Sequence, residues 1–338
     1  MRVGGADNHQ EAGQVAEIRV YGFDGEGKAL PLSPEPRNAR DPGVAAPGFV
    51  WAHVDGWVEA GRDWLGRIGL ETFEIEALLA EETRPRCTVH GEIALMNLRG
   101  VNLNPGAEPE DMIALRLFIS ERMVVSVQMR QLQAVNDLMS ALDRGTGALS
   151  PGDLIARLAL RLADRAEPVV AALNERVDQL EDAMDDPDGP GAEERGELAD
   201  VRRESILLRR FMFPQRDALS TLEIEDLPWL SQRDRSRLRE ATERVTRLGE
   251  ELDAIRDRAQ VVQDQVSDLR AEAMNRQMLL LSVVAAIFLP MSLLTGLLGI
   301  NVGGIPGAQS PLAFWLVCIL LVAIGVGLGW LFRRMDIW

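Results

Sequence analysis

The sequence is short of the residues that usually carry metal and redox chemistry. Its 338 residues include two cysteines, Cys87 and Cys318, and three histidines, His9, His53 and His90. Two isolated cysteines, one of them inside an apolar run, exclude a disulfide framework, a zinc finger and a CxxC redox pair. The histidines match no ligand spacing, and His53 and His90 read as hydrogen-bonded residues on strands. Lysine is nearly absent: Lys28 is the only one, so arginine supplies the rest of the 36 basic side chains, against 52 acidic ones. A formal charge of −16 is the wrong sign for a nucleic-acid binder. It suits cations or basic partners, and much of it is simply a solvated face. No glycine-rich phosphate loop follows an apolar strand, and no Ser–His–Asp or paired-carboxylate group stands out, so neither an enzyme nor a cofactor is expected. The opening "MRVGGADNHQEAG" lacks the basic-then-apolar order of a cleavable signal peptide.

Charge is missing altogether from two stretches near the end. "MLLLSVVAAIFLPMSLLTGLLGI", residues 278–300, is about 23 residues long, enough to cross a hydrocarbon core of ~30 Å. "LAFWLVCILLVAIGVGLGWLF", residues 312–332, gives a second span of about 21. A neutral, glycine-rich link at 301–311 makes the pair a hairpin. Arg276 precedes the first span and Arg333 and Arg334 follow the second, while the link has no arginine. The positive-inside rule then puts both termini in the cytoplasm of a multi-pass inner-membrane protein, with 301–311 as a periplasmic loop and 333–338 as a cytoplasmic tail.

The expected fold class is therefore an α+β membrane protein. Residues 1–145 read as a cytoplasmic α/β domain, with strands at 16–23, 48–55, 87–101, 111–120 and 122–128. A hairpin is expected around Glu121 and Arg122, and helices at 58–70 and 71–82, the second ended by Pro85. Residues 146–277 form a helical and stalk region. Its first helix opens with Ser150 as cap and Pro151 in the first turn, with Pro168 inside it, and "DDPDGPG" (185–191) turns into a second helix that includes 202–222.

The third helix carries the most information. Apolar or small residues recur at Leu238, Ala241, Val245, Leu248, Leu252, Ile255, Ala259, Val262, Val266, Leu269 and Ala273, alternating three and four apart as in a coiled coil. Packing on the helix's own domain accounts for part of that seam. No breaker separates it from Met278, so stalk and first span should form one rod, roughly 105 Å from Ser231 to Ile300. Such a rod is expected to bury the rest of its seam against copies of itself, which makes the chain a homo-oligomer.

Stepping back from the outer end of the first span at helical spacing gives Gly299, Gly296, Ser292, Leu289, Ala285, Ser282, Met278 and Asn275 on one stripe. Small and hydroxylated residues there serve either close helix packing or a pore lining. Asn301 favours the pore. It ends the helix in "GIN", and in a symmetric bundle its amide oxygen and the last helical carbonyls of each copy would face the axis. Those carbonyl ends carry about half an elementary negative charge per helix, so a ring of them attracts cations without a carboxylate. Neutral oxygens replace part of a hydration shell and still release the ion.

"PMSLLTGLLGINVGGIPG", preceded by "NRQM", resembles the CorA superfamily of divalent-cation transporters, whose signature is Gly-x-Asn at the end of the first of two C-terminal spans. The tripeptide Gly299-Ile300-Asn301 followed by 303–307 is similar to its zinc-transporting ZntB branch. The likeness covers the stalk and both spans, and the N-terminal domain only in length and general pattern. It implies a homopentamer in the lipid bilayer, a funnel-shaped cytoplasmic assembly, zinc as the divalent cation carried, and Asn301 as the residue that meets the partly hydrated ion. The family's further pore positions fall on Asn275, Met278, Leu281 or Ser282, Leu289 and Ser292. Where CorA channels often have a bulky ring and a threonine, this chain has Leu289 and Ser292, which leaves the gate position open. The branch raises coupling to a proton gradient, which no acid inside the spans could carry. Magnesium or cobalt passage is the rival within the class; a membrane-anchored scaffold or sensor is the rival outside it.

Overall fold

The computed structural model describes residues 17–43, 48–56, 59–81, 84–185, 191–300 and 310–334. The chain divides into two compact units, Met1–Val262 and Gln263–Trp338.

In the first unit the strands are β1 (Glu17–Phe23), β2 (Ala29–Leu32), β3 (Val50–Asp55), β4 (Arg86–His90), β5 (Ile93–Gly100), β6 (Ile113–Ile119) and β7 (Met123–Gln128). They form one sheet in the order β2-β1-β3-β7-β6-β5-β4. Only β3 and β7 pair in parallel, and every other ladder is antiparallel. Every residue of β6 and β7 is buried, which is why their sequences read as mostly apolar rather than as an alternation, broken by Arg116, Ser126 and Gln128. Four of the five expected strands match β1, β3, β6 and β7, and the expected hairpin closes with Ser120 N–H donating to the Met123 carbonyl at 2.9 Å.

The expected single strand over 87–101 is corrected: it is the hairpin β4–β5, turned at Gly91. Gly91 takes φ of 62°, a left-handed conformation that costs other residues energy. One glycine in an otherwise strand-like run is too little to mark the turn. Helices α1 (Glu59–Arg67) and α2 (Thr72–Leu79) follow β3. α2 stops well before Pro85, because Ala80 already has extended backbone at φ −58° and ψ 131°.

α1 and α2 cover one face of the sheet: Trp64, Leu65, Ile68 and Leu78 pack with Val50, Ala52, Val54, Leu95, Phe118, Val125 and Val127. On the other face Trp51 Nε1 donates to Ser126 Oγ at 2.8 Å, and the same hydroxyl lies 2.7 Å from His53 Nδ1. That face receives α3 (Gln133–Asp143), α4 (Pro151–Asp182) and α5 (Ala192–Ile224).

α4 starts as expected: Ser150 Oγ accepts from Asp153 N–H at 3.0 Å, with Pro151 in the first turn. The same hydroxyl donates to Asp234 at 2.6 Å, and Asp234 accepts from Ser231 N–H and Oγ at 3.0 and 2.7 Å. Ser231, whose Oγ accepts from Asp234 N–H at 3.2 Å, thus caps α6 (Gln232–Gly299), and Asp234 completes the capping box and ties this first turn to that of α4.

Within this unit the seam of α6 is already buried, from Leu238 through Ala241, Val245, Leu248, Leu252, Ile255 and Ala259 to Val262. A Cβ placed on Gly249 would meet Phe213 at 3.4 Å and Met212 at 3.6 Å, both on α5. From the side of α4, Arg258 is held by Asp178 and Glu181 at 2.5 Å each, and Arg244 pairs with Asp164. The part of the seam expected to pack on the helix's own domain is therefore its first eight positions. The chain's own α4 and α5 cover them. Val266 is buried as well, and beyond it the picture changes: Leu269 is 46% exposed and Ala273 is exposed.

Candidate functional site

The second unit holds the apolar end of α6 and α7 (Pro311–Arg334). Both helices are long and apolar enough to cross a membrane, by length and composition. Their flanks fit such a crossing. α7 carries Phe314 and Trp315 near its start, with ring centroids 5.8 Å apart, and Trp330 near its end, where the Arg334 guanidinium lies 5.4 Å over the indole. Aromatic rings and arginines at the two ends of an apolar helix suit the headgroup layers.

The apolar end of α6 has two distinct sides. Val283, Ile287, Pro290, Met291 and Leu294 are partly covered, and so are Val317, Cys318, Leu321, Ile324, Gly325 and Leu328 of α7. These sets face one another: the Met291 sulfur is 4.0 Å from where a Cβ on Gly325 would stand. The expected stripe lies on the other side. Asn275, Met278, Ser282, Ala285, Leu289, Ser292, Gly296 and Gly299 are all exposed, as are Leu281 at its edge and Ile300 just past the helix. At about 100° per residue the centre of this stripe falls roughly opposite the Met291 side.

Backbone chemistry along the stripe is mostly internal. Ser282 Oγ donates to the Met278 carbonyl at 2.8 Å, which leaves the hydroxyl oxygen free to accept. Thr295 Oγ1 donates to the carbonyls of Met291 and Ser292 at 3.0 and 3.1 Å. Pro290 has no N–H to offer the Ala286 carbonyl, although α6 continues through it. A Cβ added at Gly296 or Gly299 would meet nothing within 4 Å, so within one chain neither glycine is needed for close packing. Asn301, expected to form the mouth, lies outside the described residues. A further residue belongs with the stripe and is not among the expected ones: Met274 is 63% exposed and sits one turn before Met278. Its four-residue spacing from Met278 is the signal that could have found it.

Elsewhere His53 and His90 lie on strands, as expected. His53 lies on β3 and is fully buried, which holds its pKa down at about 3, with Arg19 adding to the effect. His90 ends β4 and meets the Phe73 ring edge-on at 5.4 Å. Among the described residues no group of three or more His, Cys, Asp and Glu side chains is placed to hold a metal ion.

Residues 47–334 match the family described as CorA-like Mg2+ transporter protein. The chain belongs to the CorA-like family. Within it, the chain is 42% identical over 288 residues to the divalent cation transporter CmaX of Pseudomonas aeruginosa, covering 85% of this chain and 86% of that one. It is 36% identical over 319 residues to the zinc transport protein ZntB of Pectobacterium atrosepticum, covering 94% of each. The solved structure of full-length CmaX is similar at a TM-score of 0.80 with 40% identity, covering 97% of this chain and 100% of that one. The CorA magnesium transporter of Methanocaldococcus jannaschii shares the fold at a TM-score of 0.77 and 18% identity, covering 94% and 97%. The mixed sheet, the long α6 and the two apolar C-terminal helices are thus the architecture of this transporter family.

Proposed function

We propose that the chain carries divalent cations, zinc foremost, across the inner membrane along the axis of a homopentamer. One observation carries this reading: the stripe from Asn275 to Gly299 is exposed in the single chain and lies opposite the side of α6 that meets α7. A helix pair that leaves a small and hydroxylated face unpartnered suits a bundle in which that face lines a wet axis. Zinc is favoured by the Gly299-Ile300-Asn301 tripeptide and by the likeness to ZntB at 36% identity. The arginines before α6's apolar end and at the end of α7 favour cytoplasmic termini.

In this mechanism the Asn301 amides and the Gly299 carbonyls form the outer mouth, where neutral oxygens replace part of the ion's water shell. The ion then moves largely hydrated past Ser292, Leu289, Ala285, Ser282 and Met278 to Asn275, with Gly296 leaving room for water. Stripping it bare would cost far more than neutral oxygens return. The acidic soluble units raise the local cation concentration at the inner end. The test is zinc flux into proteoliposomes, with and without a pH gradient and against competing magnesium and cobalt. Loss of zinc flux in Asn301→Ala supports the reading. Zinc flux unchanged in Asn301→Ala removes that residue from the mouth, no flux above protein-free vesicles favours a membrane-anchored scaffold, and flux of magnesium in preference to zinc favours the other metal.

A further inference from the structure

A row of polar side chains crosses the edge of the sheet beneath α2. The registers Arg86↔Asn97 and Asn97↔Arg116 set these three residues side by side on one face of β4, β5 and β6. Side chains opposed in this way stand roughly 4.5–5.5 Å apart at Cβ. A cavity of about 250 Å³ lies over Arg86 and Asn97, lined also by Thr88 and His90 from the sheet and by Phe73 and Leu78 from α2, with Arg116 beside Asn97 just beyond the lining. In a chain of net charge −16, no carboxylate among the described residues lines it. The cavity beside it differs: it shares Phe73 and His90 but is lined by Glu71, Glu74, Glu92 and Glu121, and its Arg40 pairs with Glu71 at 2.8 Å.

Arg116 is the second observation. It is 2% exposed, yet its Nε and Nη1 atoms are buried without a hydrogen-bond partner among the described residues. Its Nη2 donates to the Glu81 carbonyl at 3.1 Å, just past the end of α2. Burial, and then the charge of Arg99, push its pKa down. A guanidinium taken out of water with donors unmet is costly unless an anion meets it.

We propose that this cavity binds a small organic oxyanion, a carboxylate or a phosphate ester, with its anionic group held by Arg86 and Asn97 and attracted by the buried charge of Arg116 beside them. The planar guanidinium fork matches the oxygens of either group. Arg86 stands exposed at the sheet edge and Arg116 lies at the inner end of the row, so the ligand enters from the β4 side. Phe73, half-exposed on α2, and Leu78, buried on it, offer an apolar surface to the rest of the molecule.

The test is calorimetric titration of the full-length protein in detergent with inorganic phosphate and, separately, with malonate, at constant ionic strength. Saturable binding of either is expected, weakened roughly tenfold or more in Arg86→Gln and several-fold in Arg116→Met. The ligand should also raise the melting temperature of the unsubstituted protein and leave that of Arg86→Gln unmoved. Saturation by phosphate alone assigns a phosphate ligand, and saturation by malonate alone a carboxylate. Should Arg116→Met fail to fold, the exposed Arg86→Gln carries the comparison. No saturable binding, or binding equal in all three proteins, an adventitious ion only, overturns the proposal.

Discussion

Met291 of α6 lies against Gly325 of α7, its sulfur 4.0 Å from the point where a Cβ on that glycine would stand. This contact sets which side of α6 faces its own second helix and leaves the stripe through Ser282, Leu289 and Ser292 on the other side. Gly325→Leu should overpack it and destabilise the protein by about 1–3 kcal/mol. Gly327→Leu should have little effect, because nothing lies within 4 Å of that position. Thermal unfolding of the purified variants checks the pair.

The buried seam makes a separate prediction. Leu252 is wholly buried, so Leu252→Ala should cost about 2–5 kcal/mol by removing packing and leaving a cavity. Since the covering helices belong to the same chain, the oligomeric state should not change. Leu269→Ala, at a half-exposed position, should cost much less. Denaturation curves read with light scattering distinguish the two effects.

His53 gives the protein a pH dependence of definite sign. Its folded pKa is held at about 3, against 6.5 for an ordinary histidine, chiefly because burial disfavours the charged ring. The unfolded chain therefore takes up a proton below about pH 6.5 that the folded chain refuses until about pH 3. Stability from this group is fully present above pH 6.5 and falls between those limits, by at most about 1.4 kcal/mol per pH unit. His53→Gln should flatten that part of a melting-temperature profile measured from pH 7 to pH 4, relative to the unsubstituted protein.

Much of the fold is legible in residue order because local chemistry and burial agree. Ser150 and Pro151 open α4 as their types dictate, and the apolar runs that form β6 and β7 are buried on both faces. β2 escapes a reading by pattern because "ALPL" is short, contains a proline and sits at the sheet edge. α3 escapes it because its buried face, Val135, Leu138, Met139 and Leu142, lies in a segment with no capping side chain at Leu132. The seam on α6 is visible but its partner is not, since a three-and-four pattern does not say whether a neighbouring helix belongs to the same chain. The pore stripe is legible as a spacing. That it lies opposite Met291 and Gly325 depends on the packing of α7, which periodicity does not carry. The row Arg86, Asn97 and Arg116 is hidden for the same reason: strand register brings together residues far apart in sequence.

In the proposed passage one side of α6 meets the ion and the opposite side does not. The most direct measurement uses a cysteine-free background, Cys87→Ser with Cys318→Ser, reconstituted in proteoliposomes and carrying a single new cysteine. A water-soluble, positively charged thiol reagent should block zinc flux in Ala285→Cys and Ser292→Cys and leave Val283→Cys and Ile287→Cys untouched. Block at Val283 and Ile287 with free flux at Ala285 and Ser292, or no difference between the two sides, would contradict it.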